Sequence, residues 1–135
     1  MRMARLASDI LIFFEKERKV VLIKRLNPPY EGMWALPGGL VEENETFEEA
    51  ATREAKEETN LDVELIDIVG VYSKPGRDPR ADTVSACFYA KPIGGVLKAE
   101  TDAKEVALFS IDNLPTLAFD HRDMIKDFRR KFLTK

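Results

Sequence analysis

The segment that most constrains this chain runs from Thr46 to Asn60, which reads as a helix with both ends fixed by local chemistry. Thr46 followed three residues later by Glu49 makes a capping box, in which hydroxyl and carboxylate satisfy free amides at the helix start. Asn60 tolerates a left-handed backbone and suits the stop. The apolar stripe Phe47, Ala50, Ala51 and Ala55 is mostly small, so this helix can lie close to a sheet. Glu54, Glu57 and Glu58 stand at i, i+3 and i+4 and share one side. Carboxylates gathered in this way repel one another unless a cation joins them, and oxygen-only donors point to a hard ion, Mg²⁺ with Mn²⁺ as a substitute. Arg53 can pair with Glu57 or Glu49 one turn away and hold a carboxylate in place. Just upstream, Gly38-Gly39 is expected to form a flexible turn where backbone can approach a phosphate. A glutamate-rich helix is ordinarily a solvated face; the ordered pattern here, more than the charge count, argues against that reading.

Around this helix the pattern is one of strands. Ala4 to Phe14 reads as a strand, Glu15-Lys16-Glu17-Arg18 as a charged turn, and Val20 to Ile23 as the returning strand of a hairpin. Asn27-Pro28-Pro29 breaks regular structure, and Trp34 to Leu36 makes a short strand ended by Pro37-Gly38-Gly39. Leu61 to Tyr72 and Thr83 to Ala90 are β-type runs separated by the loop Lys74 to Arg80. Ala107 to Ile111 is a short strand, and Asn113-Leu114-Pro115 leads into an amphipathic helix with Phe119, Met124, Ile125 and Phe128 as core positions. This order implies an α/β fold, a mixed sheet with helices on both faces, and a single domain over 1–135.

Several function classes fall away. The net charge of -3 argues against a nucleic-acid partner, which usually meets a basic stripe. One cysteine, Cys87, permits no intrachain disulfide and reads as a buried thiol. A single histidine, His121, makes a zinc site unlike this composition. Ile10 to Phe14 is the longest apolar stretch, far too short to span a membrane, and no leader peptide is visible; a cytoplasmic location is the expectation.

The residues Gly39, Glu45, Arg53, Glu54, Glu57, Glu58 and Leu61 fall at the positions of the Nudix box, Gly-x5-Glu-x7-Arg-Glu-U-x-Glu-Glu-x-Gly-U, where U is bulky and apolar. Ala55 replaces one bulky position and Asn60 the final glycine; neither removes a carboxylate. Val20-Val21-Leu22-Ile23-Lys24-Arg25 with Trp34-Ala35-Leu36-Pro37-Gly38-Gly39 resembles the family's approach to its box. Ala103-Lys104-Glu105, Phe109 and Leu114-Pro115 resemble its exit. The resemblance implies the Nudix fold, an α/β/α sandwich with a mixed sheet, and hydrolysis of nucleoside diphosphate derivatives. It implies Glu54, Glu57 and Glu58 as metal ligands, Arg53 as the group orienting a carboxylate, and Glu45 as a supporting residue. The general base in this family is often a glutamate at or beyond the edge of the box; Glu105 is the first candidate, with Glu100 and Asp102 behind it.

Substrate choice lies outside the box. Tyr72-Ser73-Lys74-Pro75-Gly76-Arg77-Asp78-Pro79-Arg80 is similar to the equivalent stretch of ADP-ribose pyrophosphatases, as is Leu117-Ala118-Phe119-Asp120-His121. That implies cleavage of ADP-ribose to AMP and ribose 5-phosphate. Arg77 and Arg80 are candidates for contact with phosphate or the terminal ribose, Arg25 and Gly39 for phosphate, and Tyr72 or Trp34 for stacking on a base. The bland alternatives are a polar surface turn, a strand-end charge and core aromatics. Two other functions compete: hydrolysis of a dinucleoside polyphosphate or oxidised nucleoside triphosphate, and a nucleotide-binding sensor without catalysis. Relatives with this substrate are commonly small homodimers, which makes a homodimer an expectation here.

Overall fold

Strand β1 (Arg5–Phe14) sits at the centre of the sheet, and its alternation supplies both faces. A computed structural model describes residues 2–98 and 105–133. Ile10 and Ile12 belong to one buried cluster, together with Ala51 and Ala55 of helix α1 (Phe47–Thr59). Leu11 and Phe13 belong to the other, together with Met124, Ile125 and Phe128 of helix α2 (His121–Phe128). The two helices therefore cover opposite faces, the expected α/β/α arrangement.

Strand β2 (Lys19–Lys24) returns antiparallel to β1, with Phe13 opposite Val20, and Arg18 closes the turn at φ 53. Strand β3 (Trp34–Ala35) and strand β7 (Val106–Ser110) pair with β2, and strand β4 (Gly38–Leu40) pairs with β1. Strand β5 (Asp62–Tyr72) is antiparallel to strand β6 (Thr83–Gly94), which runs parallel to β1. One parallel pair among antiparallel neighbours makes the seven-stranded sheet mixed.

Helix α1 has the expected ends. Glu49 N–H donates to the Thr46 hydroxyl at 3.0 Å, Thr46 N–H donates to the Glu49 carboxylate at 2.9 Å, and Asn60 stands at φ 66. Such a cap is worth about 1 kcal/mol. The three alanines are fully buried, and no larger side chain would let the helix lie this close to β1.

Three expectations need correcting. Gly38 and Gly39 form a strand instead of a turn, and neither has positive φ. Their lack of a side chain serves close packing: a Cβ on Gly38 would lie 2.3 Å from the Asp9 carboxylate, and one on Gly39 2.3 Å from that of Glu54. Phe119 precedes the last helix and is only half-buried, at φ 55. The second β-type run continues past Ala90 to Gly94, because β5 is long enough to pair with it.

Along one face of β1 and β6 the chemistry changes. Leu11, Phe13 and Cys87 are apolar and lie under α2. Ala7 and Asp9 of β1, beside Thr83 and Ser85 of β6, continue that face beyond the apolar cluster and form the floor of a cleft.

Candidate active site

The cleft has a volume of about 330 Å³, at the lower end for small-molecule sites. One wall is Gly38, Gly39 and Glu58; another is Arg25 with Asn27 and Pro28; a third is Arg77, Asp78 and Arg80; Phe119 and His121 close the side next to α2. Residues from the box, from the end of β2 and from the loop after β5 thus meet in one space.

The carboxylates of α1 are organised by Arg53. Its Nε and Nη2 donate to the two oxygens of Glu45 at 2.6 and 3.0 Å, and its Nη1 donates to Glu54 and Glu57, both at 3.1 Å. Nη2 also reaches the Leu40 carbonyl. Part of the cation the acidic cluster demands is therefore this guanidinium, and Glu49, committed to the cap, takes no part. Glu58 is buried beside the same strand, and its Oε1 accepts the Gly38 N–H at 2.9 Å. Burial, then the charge of Glu58, raises the Glu54 carboxyl above its ordinary value. Among the described residues no three acidic, histidine or cysteine side chains already converge as a metal cage. The donor chemistry still fits a hard divalent ion, with Glu54 and Glu58 supplying oxygens whose mutual repulsion a cation would relieve.

Arg25, Gly39, Arg77 and Arg80 all line the cleft; Trp34 and Tyr72 do not. Trp34 packs edge-on to Phe109, with ring centroids 4.8 Å apart. Tyr72 donates its hydroxyl to Asp127 at 2.7 Å and borders a second, open depression with Lys74 and Pro75. Arg77 is sunk into the structure, its forked nitrogens donating to both Asp120 oxygens at 2.8 and 2.7 Å and to the Ser85 hydroxyl at 2.9 Å. Asp120 is consequently spent on Arg77 and gives α2 no side-chain cap. Glu105 is exposed at the head of β7, its carboxylate 3.5 Å from Lys24 Nζ and outside the cleft lining. Glu100 and Asp102 lie outside the described residues, as do Ala103 and Lys104.

Asp9 and Asp78 were missed from the sequence as site residues, and His121 was named only as too little for a zinc site and within the Leu117 to His121 stretch. Asp9 is 7% exposed on the floor, and His121 is 5% exposed beside it, with Nε2 3.7 Å from Asp9 Oδ1. His121 Nδ1 accepts the Leu36 N–H at 3.0 Å, so the neutral ring pins the segment leading to Gly38. The signal for Asp9 was available: a carboxylate inside an apolar strand.

Burial raises the Asp9 carboxyl to about 7, opposed by the charge of Arg77. Burial lowers His121 to about 4. The signs are opposite. A carboxyl raised in the fold gives stability that is complete below its unfolded value and is lost as pH rises through 7. A histidine lowered in the fold costs stability as pH falls from 6.5 towards 4. Asp9→Asn is therefore expected to melt higher than the parent at pH 8 and to lose that advantage by pH 4. Thermal melts across this range in EDTA check it; a gap independent of pH would show that Asp9 is not the group titrating.

Comparison with known proteins places the chain among relatives. The family model of the NUDIX domain matches residues 3–128. The chain is 54% identical over 116 residues to an ADP-ribose pyrophosphatase of Methanocaldococcus jannaschii, covering 86% of this chain and 69% of that protein. It is 33% identical over 99 residues to an 8-oxo-dGDP phosphatase, NUDT18, of Mus musculus, covering 73% of this chain and 29% of that one. Among solved structures, the NUDIX domain of Shewanella oneidensis NrtR complexed with ADP ribose superimposes with a TM-score of 0.84 at 27% identity, covering 99% of this chain and 91% of that one.

Proposed function

This chain belongs to the Nudix hydrolase family, and from that premise we propose that it hydrolyses the diphosphate bond of ADP-ribose to give AMP and ribose 5-phosphate. The observation that carries the proposal is the cleft itself, which brings Glu58 of the box into one space with Arg25 and Arg80. The name of the M. jannaschii relative and the ligand of the S. oneidensis domain support the substrate.

Nudix hydrolases generally use divalent metals. We assign the ion here as Mg²⁺, with Mn²⁺ as a substitute, and Glu54, Glu57 and Glu58 as the residues that would hold it. Bound there, it supplies charge neutralisation at the diphosphate oxygens and a water of lowered pKa. The chain's own contributions follow from its contacts. Arg53 holds Glu54 and Glu57 in place, and the Gly38 N–H fixes the orientation of Glu58. Arg25 and Arg80 offer guanidinium donors to phosphate oxygens. Glu105 is assigned the proton-accepting role; its backbone carbonyl accepts the Lys24 N–H at 2.9 Å, which ties it to the strand that carries Arg25 into the cleft.

Product release should be measured from ADP-ribose, diadenosine polyphosphates and nucleoside triphosphates, including oxidised ones, with Mg²⁺ and with EDTA. The expected result is AMP released from ADP-ribose in clear preference and abolished by EDTA. Preference for an oxidised nucleotide would move the chain towards the activity named for the mouse relative. No metal-dependent turnover of any of them would favour a sensor module.

A further inference from the structure

The approach to the acidic helix crosses from one strand ladder to another. β3 is paired with β2, and β4 with β1. Leu36 and Pro37 lie between the two ladders. Pro37 has no N–H, and its carbonyl accepts the Ile10 N–H at 2.9 Å. Leu36 is 2% exposed, so its N–H cannot turn to water and needs an acceptor within the protein. That acceptor is His121 Nδ1, at 3.0 Å and 85 residues further along the chain. The segment before the histidine is seated to deliver it. Ala118 N–H donates to the Trp34 carbonyl at 2.8 Å, and Leu117 bridges Trp34 in parallel. Phe119, at φ 55, then makes the turn that brings His121 to the head of α2.

The effect of that bond reaches beyond Leu36. Burial keeps the ring neutral. With Nδ1 accepting, its one proton sits on Nε2, which faces Asp9 Oδ1 at 3.7 Å. From the anchored amide to Gly38 the backbone is stiff: the proline confines Leu36 to extended geometry, and the pyrrolidine ring fixes the φ of Pro37 itself. Gly38 N–H then donates to Glu58 Oε1 at 2.9 Å. Gly38 also packs so closely on β1 that a Cβ there would lie 2.4 Å from the Ser8 carbonyl oxygen. A displacement at Leu36 is therefore carried to the amide on which the Glu58 carboxylate rests.

We propose that His121 is a positioning residue for Glu58. By holding the Leu36 amide it fixes Pro37 and Gly38, and through the Gly38 N–H it sets the carboxylate in the orientation that takes a divalent ion. The proposal rests on the metal-ligand reading of Glu58 for its consequence; the link from ring to carboxylate belongs to the chain itself.

His121 is the single histidine of the chain, so nitrogen NMR of the imidazole reads it alone. In metal-free wild type, Nδ1 is expected to be the unprotonated nitrogen, with the Leu36 and Gly38 amides protected from hydrogen exchange. His121→Phe keeps a ring and removes the acceptor, and both amides should then exchange faster. Calorimetric titration with Mn²⁺ should show its affinity lowered about tenfold, the low end for groups that orient a metal ligand. His121→Asn places an amide oxygen as many bonds from the backbone as Nδ1 and should recover most of the affinity, although it fills the space less well. Phe128→Leu, at the far end of α2 against Phe13 and Tyr89, should melt lower yet bind Mn²⁺ as wild type does. If melting curves show that His121→Phe is unfolded, the wild-type spectrum and His121→Asn carry the test. A protonated Nδ1 in wild type, a folded His121→Phe with wild-type Mn²⁺ affinity, a folded His121→Asn that loses tenfold, or an equal loss in Phe128→Leu would each overturn the proposal. Failure of the metal reading would appear separately, as unchanged Mn²⁺ affinity in Glu58→Gln, and exchange at Leu36 and Gly38 would still decide the link.

Discussion

Glu58→Gln is expected to lower turnover at saturating Mg²⁺ by at least about a hundredfold while the chain stays folded. The size follows from the role assigned to the carboxylate: mutation of groups that merely support a metal ligand already costs roughly ten- to a hundredfold, and loss of a ligand's charge costs more. Survival of the fold follows from the contact. Glu58 Oε1 accepts the Gly38 N–H, and the amide oxygen of glutamine can accept the same bond. The substitution thus removes charge and keeps shape. Steady-state rates read beside a thermal melt check it. A variant that is folded and turns over like the parent would remove Glu58 from the metal site and throw the assignment of its neighbours open.

Arg77→Ala is expected to cost about 3–5 kcal/mol of stability, the range for breaking a buried ion pair from one side. Arg77 is 5% exposed in its side chain, and Asp120 is 20% exposed. Removing the guanidinium leaves Asp120 without its bidentate partner and takes from Asp9 the charge of Arg77, which opposes its burial. Arg77→Lys should recover only part of the loss, because an ammonium cannot reproduce the bidentate fork. Denaturant unfolding measures both. A loss under about 1 kcal/mol, the figure for an exposed pair, would mean that water reaches this contact. The same geometry alters how the loop after β5 is to be tested: Arg77 is sunk against Asp120 and Ser85, whereas the Arg80 side chain is 47% exposed and paired with Asp78.

What could be read from the sequence was what local chemistry decides. Thr46, Glu49 and Asn60 fix their helix through groups within a few residues of one another, so its bounds were legible. The same holds for the hairpin of β1 and β2, where alternation and a charged turn suffice. The glycine pair was misread because its requirement is tertiary: Gly38 makes room for Asp9 and Gly39 for Glu54, and nothing in the sequence sets those distances. Glu58 and Arg53 lie on the same helix with different surroundings, one bonded to the backbone of β4 and the other hydrogen-bonded to three carboxylates, which spacing alone does not separate. Phe119 looked like a core residue because aromatic residues near an amphipathic helix usually are; its left-handed backbone turns the ring to the cleft instead. Asp9 went unnoticed because it was hidden in a persuasive strand. His121 was weighed as a zinc ligand and as part of the Leu117 to His121 stretch, and neither reading gave it the contact with Leu36.

The parallel pairing of β1 with β6 also sets an order of assembly. It joins Arg5 to Thr83, 78 residues apart in sequence, and closing so long a loop precedes any contact that rewards it. As the chain leaves the ribosome, β1 and β2 can meet at once as a hairpin, and α1 can form on its own caps. The floor of the cleft must wait for β6, and the ring that pins Leu36 must wait for His121. The floor of the cleft is therefore complete only when both β1 and β6 are in place, whereas the hairpin and helix α1 rest on residues close in sequence.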